Sequence, residues 1–125
     1  VYQVSFPYPG GWHRVNEERY EGPGGFFQIS AISAGNQIEE VCRSEAFHPL
    51  MPYGSSPQIV MISIQNQEAC FIFPSADQPP EMNKQAALIV RYPRPVQIGE
   101  TFYNYFILWA DVNHIRQIGW RLSFL

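Results

Sequence analysis

The sequence predicts an α+β fold, a twisted and mainly antiparallel sheet with two helices packed on it at about residues 36–47 and 111–121. Short apolar segments separated by Gly- and Pro-rich turns predict the strands. Apolar residues that recur at helical spacing predict the two helices. A hydrophobic content of 46% with only 15% charged residues is typical of a chain that buries a core. We expect a single domain over residues 1–125.

Two strands are predicted before the first helix. The first covers residues 1–6 and ends at two prolines, because proline cannot donate to a central strand ladder. The second follows a glycine-rich turn at residues 22–25. In it Phe27, Ile29 and Ala31 alternate with polar residues, which is the two-residue period of a strand.

The first helix is predicted over about residues 36–47. Asn36 followed three residues later by Glu39 resembles a capping box, in which the two side chains satisfy free N–H groups at a helix start. The apolar stripe that follows includes Cys42, and Pro49 marks the end of the helix. We therefore expect Cys42 to face the sheet.

The two cysteines, Cys42 and Cys70, either form one disulfide or remain two buried thiols. We expect them to lie close enough to bond. A bond would indicate an oxidising compartment. Two cysteines alone cannot form a structural zinc site, and the three histidines lie far apart, so we expect no metal and no cofactor.

Four strands are predicted between the two helices. A β-branched run at 59–64 turns back into 69–73, as in a hairpin. An apolar strand at 85–92 ends at two prolines, and a strand rich in aromatic residues follows at 101–109.

The second helix is predicted over residues 111–121 with Asp111 as its N-cap. Its buried stripe is defined by Val112, Ile115, Ile118 and Leu122. A short last strand at 123–125 follows it.

The strand at 101–109 suggests a recognition surface, because both of its faces are bulky. Phe102, Phe106 and Leu108 share one face, and Tyr103, Tyr105 and Trp109 share the other. The second face is a candidate binding surface if it is exposed. The alternative is that both helices cover one face of the sheet while these rings pack on each other across the open one. The candidate binding residues are Tyr53, Tyr92, Tyr103, Tyr105 and Trp109.

Composition and motifs exclude several classes of function. The formal net charge is −3 and the eight Lys and Arg residues are dispersed, so the sequence predicts no nucleic-acid partner. No apolar run approaches the roughly 18 residues of a membrane helix. The chain has no Gly-x-Ser-x-Gly elbow, phosphate-binding loop or dinucleotide fingerprint. If the chain is an enzyme, the residues favour a hydrolase with a sparse site at the 45–53 loop, formed by Glu45, His48 and Tyr53.

The two ends of the chain resemble the PsbP-like (Mog-type) α/β fold. The opening reads Phe-x-Tyr-Pro-x-x-Trp from Phe6 to Trp12, and a C-terminal helix leads into a last short strand. More narrowly, residues 20–33, 67–70 and 103–111 are similar to an extracytoplasmic Bacillus domain of unknown function that is sometimes labelled TolB-like or BlaR-type peptidase. The chain has neither the His-Glu-x-x-His motif of such a peptidase nor the repeats of a propeller, so the resemblance implies location rather than activity.

The resemblance, together with the missing catalytic motifs, predicts a non-enzymatic extracytoplasmic binding or assembly module with a cell-envelope protein as its partner. A structural accessory domain of a larger envelope protein is a further alternative. The chain begins at Val1 rather than Met, so we expect it to be a fragment of a longer secreted or anchored protein.

Overall fold

The computed structural model describes residues 1–125, which form nine strands and two α-helices. Seven strands make one antiparallel sheet in the order β2-β3-β4-β8-β7-β6-β5, and β1 pairs with β9 apart from it. This confirms the predicted α+β class. Neither helix is long and apolar enough to span a membrane. The elements are β1 (Val4–Ser5), β2 (His13–Arg14), β3 (Arg19–Gly22), β4 (Gly25–Ile32), α1 (Ile38–Ala46), β5 (Gln58–Ile64), β6 (Gln67–Phe73), β7 (Gln85–Ile98), β8 (Thr101–Asp111), α2 (Ile115–Gly119) and β9 (Ser123–Phe124).

The two helices lie on opposite faces of the large sheet. Side chains alternate along a strand, so Phe106 and Leu108 of β8 point to one face, and Tyr105 and Ile107 point to the other. The first face packs against α2 and the second against α1. The alternative in which both helices cover one face is wrong. The physical reason is that central strands with apolar residues on both faces must have both faces covered.

Helix α1 is attached to the sheet by a disulfide between Cys42 and Cys70 of β6, whose Cα atoms lie 6.6 Å apart. The helix begins two residues later than predicted, and its N-cap, Gln37, makes no side-chain capping bond. The predicted capping box is therefore wrong. Asn36 lies outside the helix, where its carbonyl accepts a hydrogen bond from the Tyr105 hydroxyl at 2.7 Å.

Helix α2 is much shorter than the predicted 111–121, because β8 continues to Asp111. The Asp111 carboxylate does not cap the helix. One oxygen accepts the backbone N–H of Phe26 at 3.1 Å, and the other lies 2.7 Å from Nδ1 of His114. Asp111 thus joins the start of β4 to the turn before α2.

Strand β7 extends six residues beyond its predicted end at residue 92. Its register with β8 is broken between Arg91 and Val96, and the two prolines lie in that irregular segment. Prolines are tolerated there because a bulge removes residues from the ladder. The first strand is shorter than predicted, only Val4–Ser5, and it pairs with β9.

The β5–β6 hairpin was predicted correctly. Gln65 and Asn66 connect its strands, and both have positive φ, 51° and 64°. Two such residues make the tight turn whose twist matches an antiparallel pair. The hairpin places Cys70 under α1 and so determines where that helix lies.

Candidate functional site

The five aromatic residues proposed as a binding surface do not form one exposed face. Tyr53 and Tyr105 are fully buried, Tyr92 is 4% exposed, and Tyr103 and Trp109 are half-buried. Tyr53, Tyr105 and Trp109 lie in the layer under α1, whereas Tyr92 and Tyr103 pack against the cluster on the opposite face. The expectation of a single aromatic surface is corrected, because α1 covers the face that was expected to be open.

Two of these hydroxyls have structural partners. Tyr105 donates to the Asn36 carbonyl, and Tyr92 donates to the carbonyl of Tyr2 at 2.8 Å. Each bond attaches a connecting segment to the sheet and satisfies a phenol that would otherwise be buried without a partner. These two rings are parts of the core.

Tyr53 and Trp109 instead converge on an acidic side chain, that of Glu45. The Tyr53 hydroxyl donates to Glu45 Oε2 at 2.6 Å. The indole N–H of Trp109 lies 3.2 Å from the same oxygen and 3.1 Å from the Tyr53 hydroxyl oxygen, so it is shared between them. Both donors therefore hold one oxygen of the carboxylate, and the chain donates no hydrogen bond to Oε1.

This carboxylate lies on the wall of an open groove of about 600 Å³, which we name the Glu45 groove. The groove runs between the end of α1, the loop after it, the loop before β7, and strands β4 and β8. Its lining residues are Gln28, Glu45, His48, Leu50, Pro52, Pro79, Glu81, Met82, Gln85 and Trp109.

The disulfide, the sheet register and one backbone hydrogen bond position the residues around the groove. Glu45 lies in the last turn of α1, which the disulfide holds on β6. Trp109 lies on β8 directly opposite Gln28 of β4. A backbone hydrogen bond holds Tyr53 in place, because its carbonyl accepts the N–H of Ser75 at 2.9 Å.

The loops beside the groove are joined by a small polar cluster. Asp77 accepts hydrogen bonds from the hydroxyls of Ser55 and Ser75 and from the backbone N–H of Ser55. These donors stabilise the ionised carboxyl and lower the pKa of Asp77 to about 2. Gly54 has φ +85°, and a Cβ there would meet Ser75 and Asp77 side chains, so only glycine fits this close approach.

The electrostatics of the groove keep the Tyr53 phenol protonated. Burial is the main cause that raises the pKa of Tyr53 above its ordinary value, and the negative charge of Glu45 adds to it. A permanently protonated phenol can serve as a donor to Glu45 but not as an acid or a nucleophile. The group that faces a ligand is therefore the Glu45 carboxylate.

His48 is exposed on the same wall. Its Nδ1 accepts the backbone N–H of Leu50 at 3.1 Å, so the neutral imidazole carries its proton on Nε2. Leu50 itself is 81% exposed, which is unusual for a leucine, and it adds an apolar edge to the groove.

The sequence predicted Glu45, His48, Tyr53 and Trp109 as candidate residues but not the three other polar residues of the lining, Gln28, Glu81 and Gln85. Gln28 was interpreted only as the polar partner in an alternating strand. Its position opposite Trp109 depends on the β4–β8 register, and no local pattern reports that register. Glu81 and Gln85 lie at the end of a proline-rich loop whose path the sequence does not specify.

Outside the groove, the clearest polar pair is Asp111 with His114. The ring of His114 packs edge-on against Trp12 at 4.9 Å between centroids, which encloses the pair rather than opening it to a ligand. No group of three or more His, Cys, Asp or Glu side chains is placed to hold a metal ion.

Comparison of the chain with protein-family models, with curated proteins and with solved structures found no match. Function is therefore inferred from the residues of the Glu45 groove.

Proposed function

We propose that this chain is a non-enzymatic, extracytoplasmic binding module that takes a cell-envelope partner in the Glu45 groove. The observation that carries the proposal is the Glu45 carboxylate, held at Oε2 by a buried hydroxyl and an indole N–H with Oε1 left open. Ligand sites in proteins are concave and combine apolar walls with a small number of fixed polar groups.

Binding is favoured over hydrolysis by the chemistry of the same residues. Oε2 of Glu45 is already occupied by two hydrogen bonds, and neither donor, the Tyr53 phenol nor the Trp109 indole, is placed to act as a general base. The groove lining contains no Ser, Thr or Cys to act as a nucleophile. The hydrolase alternative is supported by one observation, that Glu45 and His48 line the same groove, and it would need water activated by one of them.

An extracytoplasmic location is supported by the Cys42–Cys70 disulfide, since such bonds persist in oxidising compartments. The antiparallel sheet with a C-terminal helix and last strand is compatible with the PsbP-like fold and the Bacillus domain that the two ends of the sequence resemble. We therefore propose that the chain has the PsbP-like fold.

Capture from a solubilised envelope fraction tests the function. The immobilised domain should retain a specific partner, and Glu45→Gln and Leu50→Ser should each reduce the captured amount several-fold. Glu40→Gln on the same helix and Val15→Ser, another exposed apolar residue, are matched controls and should capture normally.

Equal capture by the groove variants and the controls would rule out the groove as the binding site. No capture at all would favour the structural accessory alternative. Turnover of chromogenic ester or glycoside substrates that is lost in Glu45→Gln would favour the hydrolase instead.

A further inference from the structure

The charged residues of the Glu45 groove are of one sign. Glu45 and Glu81 line it from two separate segments, and no lysine or arginine lines it. His48 is the one lining side chain that gains a positive charge, and only when it is protonated. Two carboxylates on the walls of one groove create a negative potential that attracts cations and repels anions.

The end of α1 adds to this negative potential. Glu45 lies in the last turn of a nine-residue helix, where the carbonyl groups carry a partial negative charge. An acidic side chain is unfavourable at that position. Its placement there, with two donors aimed at one oxygen, is a local departure from helix rules of the kind that marks functional positions.

The open oxygen of Glu45 is available to a donor from outside the chain. Tyr53 and Trp109 both bond to Oε2, and no buried side-chain oxygen or nitrogen of the protein lacks a partner. Oε1 therefore remains accessible and is already positioned. A carboxylate fixed in this way loses little side-chain entropy when it accepts a charged donor.

The remaining walls suit an aliphatic stem behind the charge. Leu50 and Met82 present apolar surface, and the half-buried indole of Trp109 lines the same space. Tryptophan is the aromatic residue that attracts cations most strongly. Gln85 adds an amide oxygen that accepts N–H donors. The amide oxygen of Gln28 already accepts a hydrogen bond from Arg19 Nη1 at 3.1 Å, and Arg19 is itself paired with Glu21.

From these observations we propose that the Glu45 groove selects a primary ammonium or guanidinium group on a short unbranched aliphatic stem, the chemistry of a lysine or arginine side chain. The charged head pairs with Glu45 Oε1 while the stem packs on Leu50 and Met82. This inference rests on the proposed binding function and names its ligand class. The same chemistry occurs in peptide side chains and in free diamines.

Titration of ¹⁵N-labelled protein, followed at the Trp109 indole N–H, tests the proposal. The cationic probes are Nα-acetyl-lysine amide, Nα-acetyl-arginine amide and 1,5-diaminopentane. The comparison probes are Nα-acetyl-norleucine amide, which keeps the stem without the charge, Nα-acetyl-glutamate amide and N-acetylglucosamine.

The cationic probes should shift the indole resonance saturably, and the norleucine probe should bind about tenfold more weakly or worse, because it lacks the charge-assisted bond. Glu45→Gln keeps an acceptor for Tyr53 and Trp109 but removes the charge, so it should lower the affinity for the cationic probes about tenfold. Glu81→Gln should lower that affinity less, and Glu40→Gln, outside the groove, should leave it unchanged. Stronger binding of the two amino-acid amides than of the diamine would identify a peptide source, and the reverse a free amine.

Equal affinity for the lysine and norleucine probes, or unchanged affinity for the lysine probe in Glu45→Gln, would overturn the proposal that the ligand is a cation. A shift produced by the glutamate or saccharide probe alone would also overturn it, but that result would still show that the groove binds a ligand. If no probe shifts the indole, the cation proposal is wrong, and partner capture by the Glu45→Gln and Leu50→Ser variants decides the proposed function separately.

Discussion

The Tyr53 hydroxyl holds the carboxylate of Glu45 on the wall of the groove. It is fully buried, donates to Glu45 and accepts part of the Trp109 N–H. Removal of this oxygen leaves Glu45 with a single donor and leaves the carboxylate less fixed. A hydrogen bond to a charged group contributes more to stability than one between neutral groups.

Tyr53→Phe should lower the free energy of unfolding by about 1–2 kcal/mol, measured by urea denaturation. The control is Tyr103→Phe, because the Tyr103 ring is half-buried and its hydroxyl makes no hydrogen bond within the chain. A loss no larger than that of the control would show that the bond to Glu45 contributes nothing to stability.

Gly25 is a second position where one atom decides the local packing. A Cβ at this first residue of β4 would collide with the Asp111 carboxylate and approach Trp12 and His114. Gly25→Ala should therefore destabilise the protein by about 1–3 kcal/mol through overpacking.

Gly35 provides the matched control for that substitution, since a Cβ there meets nothing within 4 Å. Gly35→Ala should change the unfolding free energy by less than about 0.5 kcal/mol. Similar thermal midpoints for the two variants would contradict the close packing around Asp111.

At the scale of elements, α1 is the part that builds the groove, and its attachment to β6 is covalent. The sequence predicted the apolar stripe of α1 correctly, and the stripe faces the sheet. The predicted start of the helix was wrong because the side chain of Asn36 caps nothing, while its carbonyl accepts a hydrogen bond from the Tyr105 hydroxyl of β8. A contact between residues this far apart in the chain overrides a local capping pattern.

Removal of the disulfide should cost much of the stability. The bond closes a loop of 28 residues, for which the chain-entropy model gives roughly 3.5 kcal/mol. The Cys42→Ala, Cys70→Ala double variant should show this loss in urea denaturation. The double variant should also bind ligands in the Glu45 groove less tightly, because α1 carries Glu45.

Reduction of the unaltered protein by a thiol reagent provides an independent comparison for that variant. It should reproduce most of the loss without a change in side-chain volume. An unchanged denaturation midpoint after complete reduction would show that packing alone holds α1 on the sheet.

At the scale of the whole molecule, buried phenols make stability depend on alkaline pH. Burial, followed by the charge of Glu45, raises the pKa of Tyr53 above its ordinary value of 10.0, and burial also raises the pKa of Tyr92. Above about pH 10 the unfolded chain loses these protons while the folded chain keeps them. The unfolded state then binds fewer protons, so stability falls as pH rises.

Urea denaturation from pH 7 to 11.5 measures this effect. These phenols should make no contribution to the pH dependence below about pH 9, and Tyr53 alone should contribute a decline of up to about 1.4 kcal/mol per pH unit well above pH 10. Tyr53→Phe should reduce the steepness of that decline. Stability that stays constant up to pH 11.5 would contradict the raised values.

The site was only partly predictable from sequence. Glu45, His48 and Tyr53 lie in one short stretch, so their proximity was a reasonable inference. Trp109 was assigned with Tyr53 to an exposed aromatic surface and not to the site of Glu45 and His48, because the pattern of β8 shows two bulky faces without showing which helix covers each. Gln28 and Glu81 joined the groove through sheet register and loop path, which depend on the whole molecule.

The α+β class, the β5–β6 hairpin and the apolar stripe of α1 could be predicted from the sequence, because they follow from local periodicity and turn chemistry within a few residues. The sequence did not show that the helices lie on opposite faces, that β8 continues to Asp111, or that Trp109 contacts Glu45. Those outcomes depend on long-range pairing, in which burial on both faces of the sheet outweighs the local preferences of single residues.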